Sequence, residues 1–248
     1  MRILAASIFA ALLSGCATTE TVQFRAKDQQ QALVRDGQVA LTSRQKSSIV
    51  MIRPASRQFR AGDRPVFVVG IYNLSNRPIE FRVASVEAIQ LIKEQTMALK
   101  VITFDDLMLE ERNRQIARAF IGGLAVAANS YSASRAGYYN NTSTVSTPRG
   151  TYRVNTTGYS PTAAAIAQTN AAAQNEAIIA ITIEQGQRNM ADLERGVIKD
   201  NTLLPGEWYG GQLHFQPLNS DADGPKRYSI TIVIGSDRHE IEISQSNT

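Results

Sequence analysis

Tyr228-Ser229-Ile230-Thr231-Ile232-Val233-Ile234 and His239-Glu240-Ile241-Glu242-Ile243 flank a short break, Gly235-Ser236-Asp237. Apolar and polar residues alternate through both runs, and period two turns one face of each toward a core. The break supplies turn chemistry, so the stretch predicts an antiparallel hairpin. The same style recurs upstream. Gly211-Gln212-Leu213-His214-Phe215 follows a Leu204-Pro205-Gly206-Glu207 turn, and strands are expected over 48–52, 65–72, 77–83 and 98–104. Asn73-Leu74-Ser75-Asn76 forms a turn between the second and third of these, since Asn and Ser support turn conformations. Strands at both ends of the chain, joined by short turns, predict a mainly β protein built on an antiparallel β-sandwich.

Between the two β halves the composition becomes helical. Asp105 and Asp106 can cap a helix whose first turns carry Glu110 and Glu111, matching its positive dipole end. Leu109, Ile116, Phe120, Gly123 and Ala127 recur at helical spacings, and Ala119, Gly123 and Ala127 form a row of small residues. That row is expected to pack against a second helix, and self-association of the chain through it is the other reading. Ser160-Pro161 starts the partner helix, with Ser at the N-cap and Pro in the first turn. Ile178-Ile179-Ala180-Ile181-Thr182-Ile183 has strand propensity but lies within an Ala/Gln/Glu-rich segment, which favours helix. An α-helical hairpin is therefore expected over 106–198. Its loop, about 134–159, is rich in Asn, Thr, Ser and Tyr; a small hairpin around Pro148-Arg149-Gly150 is one form open to it. Tyr131, Tyr138, Tyr139, Tyr152 and Tyr159 are the candidates for contact with a partner, the alternative being a tip that contacts nothing.

At the N-terminus, Met1-Arg2 precedes the apolar segment 3–13 and small residues follow, the layout of a secretory signal. The segment falls short of the ~20 residues a spanning helix needs. Leu13-Ser14-Gly15-Cys16 resembles the lipobox of bacterial lipoproteins. That resemblance implies cleavage before Cys16, acylation of its thiol and of the new amino terminus, and membrane attachment through those chains. Ala17 in place of aspartate implies the outer membrane, facing the periplasm. The expected organisation is a signal peptide 1–15, a lipidated polar tether 16–45 with one short strand near Val22, a first β half 46–105, the hairpin insertion 106–198 and a second β half 199–248.

Tyr72-Asn73-Leu74-Ser75-Asn76-Arg77-Pro78-Ile79-Glu80-Phe81 and Leu204-Pro205-Gly206-Glu207…Gly211-Gln212-Leu213-His214-Phe215 are similar to strands of the immunoglobulin-like, telokin-like domains of bacterial lipoproteins. The resemblance implies an immunoglobulin-like sandwich interrupted by the helical insertion. Such domains share no catalytic residues.

Cys16 is the single cysteine, so no intramolecular disulfide can form. The two histidines, His214 and His239, each sit in an alternating strand, a place for structural residues more than ligands. No HExxH, paired CxxC, EF-hand, G-x-S-x-G or nucleotide-binding fingerprint occurs, and the Gly122-Gly123 and Gly210-Gly211 pairs lack the flanking pattern. No catalytic residue, metal ligand or cofactor beyond the covalent lipid is therefore expected. Nine Arg or Lys stand against three acids from Arg35 to Arg82, a candidate basic face, but without the aromatic interleaving of nucleic-acid binders. The expected function is a non-enzymatic envelope lipoprotein that engages a protein partner. The alternative is a binder of an anionic envelope polymer, peptidoglycan or lipopolysaccharide.

Overall fold

The computed structural model describes residues 19–247 apart from 36, 61, 93–94 and 220–224; Leu13, Ser14, Gly15 and Cys16 fall outside that range. The chain is 48% strand and 32% helix, hence mainly β with two helices. It divides into a β unit, formed by the chain up to Asp106 and from Glu194 onward, and an inserted unit, Leu107–Leu193.

Two six-stranded open sheets make the β unit, and every ladder in them is antiparallel. The first runs β5 (Phe59–Arg60), β1 (Thr19–Arg25), β16 (Asp237–Asn247), β15 (Lys226–Ile234), β8 (Val86–Ile92), β9 (Gln95–Leu99). The second runs β10 (Val101–Ile102), β14 (Trp208–Phe215), β6 (Val66–Asn73), β4 (Ser48–Pro54), β3 (Gln38–Arg44), β2 (Gln30–Arg35). A short pair joins β7 (Ile79–Phe81) to β13 (Asn201–Leu203). The expected hairpin is β15–β16: Ile234 pairs with Asp237, and Gly235 takes φ +57 at the first loop position, as two-residue hairpin turns require.

Alternation decides which side chains enter the core. Along β6 every second residue is buried, and β4 and β16 follow the same rhythm. Phe67 on β6 is fully buried, its ring 6.2 Å from Tyr228, 6.3 Å from Phe24 and 6.2 Å from Phe215. Tyr228 and Phe24 belong to the first sheet and Phe67 and Phe215 to the second, so one aromatic cluster holds both sheets.

Asn73 binds distant parts of the chain together. It is fully buried, and its amide donates to the carbonyls of Arg77 (2.8 Å) and Leu203 (3.0 Å). Its side-chain oxygen accepts from the backbone N–H and the hydroxyl of Ser75. The turn at 204–207 closes on its backbone, with Gly206 N–H donating to Asn73 O (3.0 Å). The glycines at 210–211 have a structural cause: a side chain at Gly211 would strike the backbone of Gly196 and Ile198.

Several expected boundaries change. The stretch read as a polar tether contains β1, β2 and β3. Its polarity is misleading because the inward side of β1 includes Glu20, which pairs with Lys226, and β2 is an edge strand with Val34 outward. The strand expected over 77–83 shrinks to Ile79–Phe81 followed by a 3-10 turn, Val83–Ser85. The one expected over 98–104 splits: β9 ends at Leu99 in one sheet, β10 lies in the other, and Phe104 already opens a helix.

Glu20 and Lys226 are both buried, with Nζ 2.6 Å from Oε1; Gln245 donates to Glu20 and accepts from Tyr228 (3.0 Å). Burial, with Glu20 nearby, pushes the Tyr228 hydroxyl well above its ordinary pKa, so it stays a donor. Removing one partner of a buried pair strands the other charge. Glu20→Ala or Lys226→Ala should cost about 3–5 kcal/mol in urea unfolding, whereas Glu20→Met with Lys226→Leu should recover most of that loss.

Candidate functional site

Where β16 meets the second sheet, four buried polar side chains converge: Ser43 on β3, Ser48 on β4, and Asp237 and His239 on β16. Ser48 Oγ lies 2.8 Å from Asp237 Oδ2 and 2.8 Å from His239 Nε2, and His239 Nδ1 lies 3.0 Å from Ser43 Oγ. The residue types are those of a serine–histidine–aspartate nucleophile. The direction of the hydrogen bonds is not. Ser48 has one proton and Asp237 can only accept, so Ser48 donates to Asp237 and accepts from the N–H on Nε2. His239 Nδ1 then accepts from Ser43. Ser47 N–H completes the carboxylate's partners at 2.7 Å. In this arrangement the imidazole does not receive the Ser48 proton; the chain of hydrogen bonds runs from one sheet to the other and acts as a polar clamp. Burial lowers the His239 pKa to about 4 against a smaller opposing pull from Asp237, which keeps the ring neutral. His214 is half-buried on β14. No cluster of three or more metal-ligating side chains occurs among the described residues.

The inserted unit has a different logic. Helix α1 (Phe104–Arg135) opens with Thr103 as N-cap rather than Asp105 or Asp106: Asp106 N–H donates to Thr103 Oγ1 (3.2 Å) and Thr103 N–H donates back to Asp106 Oδ2 (3.1 Å). That backbone bond, with Lys100, lowers the Asp106 pKa. Helix α2 (Pro161–Gly196) starts as expected, with Ala163 N–H donating to Ser160 Oγ. The segment 178–183 is helical. Between the helices, β11 (Tyr138–Thr147) and β12 (Gly150–Tyr159) form a two-stranded ribbon much longer than the small hairpin anticipated. All of its residues but Gly158 are exposed.

The seam between α1 and α2 is made of small and polar groups. Gln115 donates to Gly186 O (3.0 Å), Asn129 to Asn175 (3.1 Å), and Asn189 to the buried Glu111 (2.9 Å). Ala133, Ala164 and Ala171 are buried, and Gly122 faces Ile178 and Thr182. The expected packing row is corrected. Ala119, Gly123 and Ala127 are all exposed, and nothing lies within 4 Å of where a side chain on Gly123 would begin. Contact runs instead through positions 111, 115, 122, 129 and 133. The two rows share the helical period but are offset by a few residues, which turns 119, 123 and 127 away from α2.

Large apolar side chains point outward instead: Ile116 (64% exposed), Phe120 (69%), Leu124 (58%), Ile166 and Ile181. The five candidate tyrosines are exposed too. Tyr138 and Tyr159 sit across the base of the ribbon with ring centroids 5.0 Å apart, and Arg135 covers Tyr131 at 5.3 Å. Residues 112–175 contain no Asp or Glu but six Arg. Tyrosine clustering is visible in the sequence; the outward placement of Phe120 and Leu124 is not, because their spacing also suits a buried face. The absence of acids from 112–175 is the signal that could have drawn attention to the outer surface.

In comparisons with known proteins, no family model matches this chain, and neither a curated protein nor a solved structure matches it.

The His239 clamp generates a pH dependence. An unfolded histidine titrates near 6.5 and this one near 4 in the folded chain, so between those values the unfolded state binds more protons. Its contribution is complete above pH 6.5 and falls as pH drops toward 4, by roughly 3 kcal/mol. Urea unfolding of the wild type and His239→Gln across pH 4–7 should show a difference that narrows as the pH falls; a constant offset would count against the clamp.

Proposed function

We propose that this chain is a non-enzymatic bacterial envelope lipoprotein, acylated at Cys16 and facing the periplasm from the outer membrane. Its β unit is an immunoglobulin-like sandwich, and its inserted arm engages a protein partner. One observation carries the reading: the arm buries small and polar residues and exposes large apolar ones, the reverse of a helical hairpin built to stand alone in water. The hydrogen-bond direction at Ser48 and His239 supports a structural role for the site that most resembles catalytic machinery. The apolar segment 3–13 and the Leu13–Cys16 motif support the anchor.

A second reading rests on a concave surface lined by Gln29, Gln30, Gln31, Thr42, Arg44 and Lys46. Amides beside two cations suit a hydrated anionic polymer. Sedimentation with purified peptidoglycan that weakens steeply with salt, and is lost in Arg44→Glu/Lys46→Glu, would support it.

For the main reading, replacing 138–159 by a short Gly-rich turn should leave the unfolding midpoint of the β unit unchanged and abolish partner co-purification from membranes. Cys16→Ser should move the intact chain to the soluble fraction. Unchanged pull-downs after ribbon removal would overturn a contact made by the ribbon.

A further inference from the structure

We propose that the arm packs side by side with the arm of a second copy of this chain, α1 of one copy against α2 of the next. This rests on the partner-binding reading above and names the partner.

Each contact draws on one helix face from each copy: Leu109, Ile116, Phe120, Leu124 and Tyr131 on α1, and Ile166 and Ile181 on α2, each more than half exposed. The shape of this surface suits a helix. Ile116, Phe120 and Leu124 rise at four-residue spacing on α1, while the outer face of α2 presents small exposed residues, Ala173, Ala177 and Ala180. Large side chains on one helix fit against small ones on the other, so α1 complements α2 better than it complements itself.

Charge points the same way. From 112 to 135, α1 carries Arg112, Arg114, Arg118 and Arg135 with no acid. From 176 onward α2 carries Glu176, Glu184, Asp192 and Glu194 against Arg188 and Arg195. Gln115 lies level with Gly186. Arg114 and Arg118 pair with Glu111 on their own helix and Glu184 with Arg188, so the complementarity is one of whole helices; two arms side by side and pointing the same way set the more basic α1 antiparallel to the more acidic α2.

The ribbon adds a backbone contribution. Among the described residues β11 and β12 pair only with each other, β11 has no charged residue, and a lone two-stranded ribbon is marginal in water. The same juxtaposition sets β11 of one copy beside β12 of the next, continuing an antiparallel ladder. Neither helix is long and apolar enough to cross a membrane. Such a contact is heterologous, so it closes into a ring or propagates.

The test uses the full lipidated chain, extracted in detergent, with benzoylphenylalanine in place of Phe120. Irradiation of mixed isotope-labelled and unlabelled copies should give a ladder of oligomers, with the cross-linked peptide lying in α2 of another copy near 173–184. Phe120→Glu with Leu124→Glu should abolish the ladder while circular dichroism stays unchanged. Cross-links confined to lipid, to α1 of another copy or to a different protein would overturn the proposal, as would a monomeric mass at every concentration. Cross-links to a different protein would leave the partner-binding reading standing; no cross-link together with no protein recovered with the wild-type chain would remove both.

Discussion

The constraint on which the β unit depends is that strand β16 buries polar groups at both of its ends. Asp237 and His239 point inward at the start and Gln245 near the finish, with Ile241 and Ile243 between them. A buried polar group without a partner costs about 1–3 kcal/mol, more if charged. Each end is therefore satisfied by residues from other strands: Ser43 and Ser48 across the core, Glu20 and Tyr228 along the sheet. Hydrophobic alternation alone would tolerate several pairings of similar strands. The two polar ends admit one register, because a slip of a single residue would put every one of these groups on the wrong face.

The inserted unit follows the opposite rule. Its polar groups also lie in the seam, but the apolar residues that should accompany them are outside. The hydrogen bonds among Gln115, Gly186, Asn129, Asn175, Glu111 and Asn189 fix how α1 and α2 align without contributing much burial. Alignment comes from within the arm, while most of its capacity for hydrophobic stabilisation is left for whatever lies against it.

Much of this was legible from residue order. The β15–β16 hairpin, β4, β6 and β14 follow from alternation, and α2 from Ser160-Pro161 and its alanine content. Strands whose inward faces hold charged residues were not legible, since Glu20 reads as surface until Lys226 is known to be beside it. β7 and β10 are too short for periodicity to register. The helical hairpin was expected, but its packing face was placed a few residues out: Gly123 and Ala127 offered the familiar small-residue spacing, while the true seam at 115, 122 and 129 mixes Gln, Gly and Asn and carries no hydrophobic signature. The clamp at His239 was invisible because its four members lie in three strands.

The proposed acylation at Cys16 would give the position of β1 a further consequence. Strand β1 starts at Thr19, three residues on, and three residues span at most about 10 Å at full extension. On that proposal the β unit would be confined to a thin layer against the bilayer. Copies so confined would search for one another in two dimensions, which raises their effective concentration without any new contact. The buried pairing of Glu20 with Lys226 would then carry load from the anchor into the sheet.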